Sequence, residues 1–207
     1  MTNAIILAAG LGSRLSPLTK DKPKSLIEFG KKTLLERIVE IFRKYGIDDI
    51  SIVTGYKKEK INLPNITYFE NKNYLENSTL SSLFCAQKKI SESTIITYSD
   101  IIFQENILEK LLNADYDISA VVDRKWIDYW KFRTGESIHD ATETAIFNEK
   151  NMIISIGEKN PHANGHFIGL MKLQNTGSEK FQEIYFKTQE NCVNDKNGLN
   201  KNLPFEK

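Results

Sequence analysis

Apolar runs and amphipathic stretches alternate along the first half of the chain. Asn3 to Ala9 (NAIILAA) is a continuous apolar run that ends at a glycine, the pattern of a strand buried on both faces. Thr33 to Gly46 (TLLERIVEIFRKYG) predicts a helix. Thr33 and Glu36 have capping-box spacing, Gly46 is a stop, and Leu35, Ile38, Val39 and Phe42 share one face. Asp49 to Gly55 (DISIVTG) reads as a second buried strand and Asn65 to Asn71 (NITYFEN) as a third. Ser78 to Ile90 predicts a helix with Leu80, Leu83, Phe84 and Ile90 turned inward. Ser93 to Asp100 (STIITYSD) is a strand ending in a carboxylate, Asn106 to Ala114 a helix, and Asp117 to Asp123 a further strand. This alternation predicts an α/β fold with a Rossmann-like, mostly parallel mixed sheet flanked by helices.

The pattern changes after Asp123. WIDYWKFRTGESIHD is polar and aromatic, while TETAIFN, MIISIGEK and HFIGLMKL read as short strands with no helices between them. A small antiparallel extension is expected there. SEKFQEIYFKTQ predicts a late helix, and the polar tail NCVNDKNGLNKNLPFEK a loop. No repeat or linker interrupts residues 1–207, which read as a single domain.

Charge adds something only locally. The formal net charge is +1, which gives no reason to expect a nucleic-acid or acidic-membrane partner. The start of the chain, however, sets Arg14, Lys20, Lys22, Lys24, Lys31 and Lys32 against Asp21 and Glu28. Cys85 and Cys192 lack CxxC spacing and suggest no disulfide framework. Cys85, inside an apolar helix pattern, is expected to be a core thiol. The first apolar run is too short for a signal peptide and no run reaches transmembrane length, so a cytoplasmic protein is expected.

The basic residues fall in the loop after the first strand, and ligands of open α/β sheets bind at the carboxyl ends of strands. Gly10 and Gly12 permit a tight turn, the loop N–H groups can cradle an anion, Arg14 can grip phosphate bidentately, and Lys24 adds a point charge. The plain alternative is a surface turn with solvated lysines. A dinucleotide fingerprint fails because Leu15 stands where the third glycine belongs, and FGKKTLL lacks P-loop spacing. His162 and His166 have the spacing of a helical zinc pair, but Asn164 and Gly165 oppose a helix there.

As a whole, LAAGLGSRLSPLTKDKPKSL resembles the signature of the nucleotidyltransferase (pyrophosphorylase) family, L-A-A-G-x-G-[ST]-R-[LM]-x-P-L-T-x-x-x-P-K. VTGY continues the likeness, with Thr33 where proline is common. YLENSTLSSLFCAQ, VVDRKWIDYWKFRTGESIHDATETAIF and GEKNPHANGHFIGLMKL are similar to segments of its phosphocholine cytidylyltransferase-like branch. The resemblance covers about residues 3–175 and implies the nucleotide-diphospho-sugar transferase-like fold. It implies a nucleotide site of Leu7, Ala8, Ala9, Gly10, Gly12, Ser13, Arg14, Lys24, Gly55, Asn77, Ser82, Ser99 and Asp100. Arg14 and Lys24 would act catalytically, and the Ala8 backbone, Asn77 and Ser82 would read the base. Asp100 would ligate Mg²⁺.

The implied reaction is attack of a phosphate or phosphonate oxygen on the α-phosphorus of CTP, giving a CMP-linked product and pyrophosphate. The resemblance implies an acceptor that is phosphocholine-like, aminoethylphosphonate-like or another small zwitterionic phosphate, and a setting in bacterial surface polysaccharide biosynthesis. Asp123, Trp126, Trp130, Glu143 and Lys159 are the implied acceptor ligands. Trp126, Tyr129 and Trp130 could enclose a quaternary ammonium by cation–π contact, whereas packing in the core is the simpler role for at least one tryptophan. The family also has a late W-x-E-[IV]-D segment with a second metal-binding Asp. Tryptophan is absent after Trp130, so the usual C-terminal segment is expected to be missing, or Glu143 or Asp195 to substitute. A sugar-1-phosphate nucleotidyltransferase and a nucleotide-binding module without turnover are the other readings. A homodimer is compatible with all of them.

Overall fold

Strand β1 (Asn3–Ala8) is buried along its whole length, as its unbroken apolar run requires. It lies between two parallel neighbours, β4 (Ile50–Thr54) and β6 (Ser93–Tyr98). The computed structural model describes residues 1–76, 78–130, 132, 141–158, 160 and 162–194. Contacts divide the chain into two compact units. One comprises Met1–Ser119 and Gly169–Gln182, the other Ala120–Ile168 and the chain from Glu183.

In the first unit, a short hairpin of β2 (Glu28–Phe29) and β3 (Lys32–Thr33) leads into α1 (Leu34–Lys44). The capping box forms as expected. Thr33 Oγ1 accepts from the Glu36 N–H at 3.2 Å, and Glu36 Oε2 accepts from the Thr33 N–H at 2.7 Å. Leu35, Ile38, Val39 and Phe42 are buried, and Gly46 carries the positive φ of a helix stop. Past β4 come β5 (Thr67–Glu70), α2 (Thr79–Cys85), β6 and α3 (Glu105–Leu112). The order of strands is β5–β4–β1–β6–β10, where β10 (Gly165–Gln174) runs antiparallel to β6.

Four expectations change. The third strand, β5, is not a buried strand but an edge strand, mostly exposed, because among the described residues only β4 flanks it. The helix expected over Ser78–Ile90 ends at Cys85; Ala86 caps it and a 3-10 turn, Gln87–Lys89, follows. Cys85 is therefore not a core thiol. It is exposed, because the helix turns Ser82, Leu83 and Phe84 inward and Cys85 sits about 200° round from Leu83. The strand β7 (Ile118–Asp123) does not extend the parallel set but pairs with β10. Lys172 of β10 is buried, and its ammonium donates to the Leu112 and Ala114 carbonyls at the end of α3. Burial pushes its pKa below the usual lysine value.

The second unit is antiparallel, as expected. β8 (Thr144–Phe147) pairs with β9 (Ile153–Glu158) and with the start of β10. A short helix, α4 (Trp126–Trp130), forms in the aromatic stretch. Its two tryptophans pack with Ala141 and Ala163 in a small core. The late helix α5 spans Thr176–Asn194 and is longer than its apolar pattern suggested. Among the described residues no helix is long and apolar enough to cross a membrane.

Candidate active site

Parallel pairing brings the carboxyl ends of β1, β4, β5 and β6 to one edge. Ala8 lies opposite Thr54, Thr54 opposite Glu70, and Leu7 opposite Tyr98. The residues that leave these ends are Ala9 and Gly10, Gly55, Asn71, and Ser99 with Asp100. Sheet register thus gathers the chemistry foreseen for the loop, the second strand and the fourth.

After β1 the chain turns through Gly12, whose φ is 63°, into a 3-10 turn over Ser13–Leu15. A side chain at Gly12 would be strained, and its Cβ would lie 2.8 Å from Lys24 Cβ and 3.2 Å from Thr19 Cγ2. Glycine is thus needed to let the Lys24 stem cross the loop. Thr19, buried, donates its hydroxyl to the Gly12 carbonyl at 3.0 Å. Gly10 and Ser13 are exposed and Arg14 projects outward; among the described residues no hydrogen bond or ion pair holds its guanidinium.

The Lys24 ammonium is ion-paired with the Asp100 carboxylate, both about one-third exposed or less. The pair joins the end of the loop to the end of β6. A carboxylate and an ammonium in contact, reachable from solvent, can each change partner when phosphates arrive. Asp100 fits a hard divalent ion that takes most of its ligands from phosphate and water. Among the described residues no cluster of three or more His, Cys, Asp or Glu forms a protein-only metal cage. Ser99 is buried, and its N–H donates to the Leu7 carbonyl at 3.1 Å.

Gly55 is required by packing, since a Cβ would stand 2.7 Å from the Ala9 carbonyl oxygen and 2.9 Å from Tyr74 Cβ. Ser82 is buried, its hydroxyl donating to the Ser78 carbonyl at 3.2 Å and accepting from Asn71 Nδ2 at 2.8 Å. Asn71 is buried too and was not singled out in the sequence. Its only signal was the polar residue that closes NITYFEN at a strand end. Asn77 lies outside the described residues, as does Lys159.

The remaining acceptor candidates lie in the second unit. Trp126 and Trp130 are 2 % and 7 % exposed, so their rings form core rather than an open cage, while Tyr129 is 65 % exposed. His166 packs against both indoles, its ring centre 5.7 Å from Trp126 and 5.6 Å from Trp130. It belongs to a strand, so it has no helical partner in His162. Trp126 Nε1 is buried without a hydrogen-bond partner among the described residues. Asp123 is half-buried and accepts from the Lys125 N–H at 2.8 Å, and the Glu143 carbonyl accepts from the Phe167 N–H at 2.7 Å.

A cleft of about 540 Å³ in the first unit is lined by Pro17, Leu18, Asp21, Lys22, Leu26, Glu28, Thr33 and Lys60. It contains none of the predicted nucleotide ligands, and Asp21 and Glu28 offset its two lysines, so it lacks the character of an anion site.

Residues 4–149 match the model of the MobA-like NTP transferase domain. A CTP:phosphoglutamine cytidylyltransferase of Campylobacter jejuni is 36 % identical over 187 residues, 82 % of this chain and 72 % of that protein. A 2-aminoethylphosphonate cytidylyltransferase of Lancefieldella rimae is 36 % identical over 163 residues, 76 % of this chain. A choline-phosphate cytidylyltransferase of Streptococcus pneumoniae is 33 % identical over 117 residues, 55 % of this chain. The chain spans 61 % and 51 % of the lengths of the latter two. Among solved structures, the CTP:phosphocholine cytidylyltransferase of S. pneumoniae matches with a TM-score of 0.68 at 22 % identity, over 92 % of this chain and 78 % of that one. The inositol-1-phosphate CTP transferase of T. maritima matches equally well, over 92 % and 74 %. These likenesses establish the nucleotide-diphospho-sugar transferase-like fold. With its signature loop, strand-end carboxylate and matched domain, the chain belongs to the MobA-like NTP transferase family, and cytidylyltransferases are among its relatives.

Proposed function

We propose that this chain is a cytidylyltransferase that transfers CMP from CTP to a small phosphorylated or phosphonate acceptor and releases pyrophosphate. The observation that carries the proposal is the loop from Gly10 to Lys24, which presents an exposed Arg14 and a Lys24–Asp100 pair at the carboxyl edge of the parallel strands. Cytidylyltransferase relatives at 36 % identity support the choice of base.

The reaction gathers several phosphate charges in one place, so alignment and charge neutralisation carry most of the rate. The backbone from Gly10 to Ser13 and the Arg14 guanidinium hold the β- and γ-phosphates. As the nucleotide enters, Lys24 exchanges its carboxylate partner for oxygens of the α-phosphate and of the acceptor. Asp100, thereby freed, would hold Mg²⁺, which would supply Lewis-acid neutralisation of the triphosphate. The acceptor oxygen attacks the α-phosphorus, and the bond to the β-phosphate oxygen breaks, its electrons leaving with pyrophosphate.

Pyrophosphate release is measured with four nucleoside triphosphates against a panel of amino-alcohol phosphates, aminoalkylphosphonates, phosphoglutamine and sugar phosphates. Release with CTP and a non-sugar acceptor is expected. Release only with a sugar 1-phosphate moves the chain to the sugar nucleotidyltransferases. Nucleotide binding without release from any pair assigns it as a binding module. Arg14→Ala and Lys24→Ala should each lower turnover about a hundred-fold or more while leaving the melting temperature nearly unchanged. Retained activity in both removes this mechanism.

A further inference from the structure

The phosphate loop poses a mechanical question. From Gly10 to Thr19 its only regular structure is the 3-10 turn Ser13–Leu15, and glycine-rich backbone is costly to order. Donors aimed at a leaving pyrophosphate nevertheless have to stand in place before the reaction. Inside the loop the bonds are short-range. Leu15 N–H donates to Gly12 and Lys20 N–H to Pro17, and the Thr19 hydroxyl also reaches Gly12.

Both ends of this Gly10–Thr19 stretch are tied to one residue outside it. The Tyr56 N–H donates to the Ala9 carbonyl at 3.0 Å, and the Tyr56 hydroxyl donates to the Lys20 carbonyl at 2.6 Å. Tyr56 follows β4 with Gly55 alone between them, and β4 is buried throughout, so both ties run to the sheet. Gly55 lets the backbone pass against Ala9 and Tyr74, and the Tyr74 ring tilts against Tyr56 with centres 6.4 Å apart.

We infer that Tyr56 is a positioning residue that clamps both ends of the phosphate loop and preforms it for the nucleotide. The tie to Ala9 is backbone and survives substitution. The tie to Lys20 is the phenol oxygen alone, so Tyr56→Phe cuts one end and keeps the ring. The kinetic half of this inference rests on the proposed nucleotidyl transfer; the mechanical half does not. Charge grows on the leaving pyrophosphate in the transition state, so a loosened loop loses more there than in the ground state.

The test compares Tyr56→Phe with Tyr68→Phe. Tyr68 also bonds a backbone through its hydroxyl, accepting from the Leu63 N–H at 2.7 Å, but in another loop. Limited trypsin cleavage after Arg14 and Lys20, both exposed, reads the loop directly. Tyr56→Phe should be cut there about five- to ten-fold faster. Its kcat for pyrophosphate release should fall about ten-fold while KM for CTP moves less than about three-fold. Tyr68→Phe should change neither. Unchanged cleavage in Tyr56→Phe, or equal changes in both variants, overturns the clamp. Should Tyr56→Phe melt markedly lower than the wild type, hydrogen exchange on the unmodified chain decides: the Tyr56, Leu15 and Lys20 amides are protected without nucleotide if the clamp holds, and their fast exchange overturns it. A wild-type chain that releases no pyrophosphate, with Tyr56→Phe still opening the loop, overturns the transfer reading and leaves the clamp standing.

Discussion

Gly12 is the residue on which the loop turns. Its positive φ costs a side-chain-bearing residue about 1–2 kcal/mol, and its Cα packs against the Lys24 stem. Gly12→Ala is therefore expected to move Lys24 or the loop. The fall in kcat, about a hundred-fold, should exceed what the small change in stability explains. Turnover beside a urea melt checks this, and a variant with wild-type kcat removes the packing argument. Arg14 and Lys24 stand out in the sequence as candidate anion ligands because residue type alone specifies their charge and donor geometry. That Lys24 rests on Asp100 was not legible, since Lys24 lies in the loop after β1 and Asp100 just past the end of β6, far along the chain. Asn71 was overlooked for the same reason: its hydrogen bond to Ser82 crosses from a strand end to a helix.

Among the elements, α1 was legible almost to the residue because its start is a local device. Thr33→Ala should cost about 1 kcal/mol, read from chemical denaturation. Glu36 adds a pH dependence. Its hydrogen bonds with the Thr33 backbone and hydroxyl hold the carboxyl below the usual value, with Lys32 assisting. A depressed carboxyl pKa stabilises the fold above the unfolded value near 4.5, and that contribution is lost as pH falls through the folded pKa. Glu36→Gln should therefore flatten the acid limb of the stability profile below about pH 4.5; identical limbs in both proteins exclude a capping-box share in acid unfolding. The helix α2 was misjudged in length because apolar spacing continues past Cys85, while the backbone turns at Ala86 to feed β6.

At the scale of the molecule, β10 was the element hardest to foresee. It enters beside β6 from far along the chain, antiparallel to it, and carries the buried Lys172 to the end of α3. Burial lowers the pKa of Lys172, so its charge is a burden at neutral pH that is relieved as pH rises through the folded value toward 10.5. The stability of the wild type relative to Lys172→Met should thus increase between pH 7 and about pH 10. A constant difference over that range excludes a proton lost from Lys172.

The succession of strands and helices along the chain, the antiparallel second part and the basic, glycine-bearing character of the loop were determined by the sequence. These follow from hydrophobic period, caps and residue type, all of which act over a few neighbours. Only the tertiary structure decided that Asp100 holds Lys24, that Asn71 engages Ser82, and that the two tryptophans form core around His166. It likewise decided that Tyr56 reaches Ala9 and Lys20, on either side of the Gly10–Thr19 stretch. Each of these depends on strand order and register, which join residues distant in the chain and leave no mark in any local pattern.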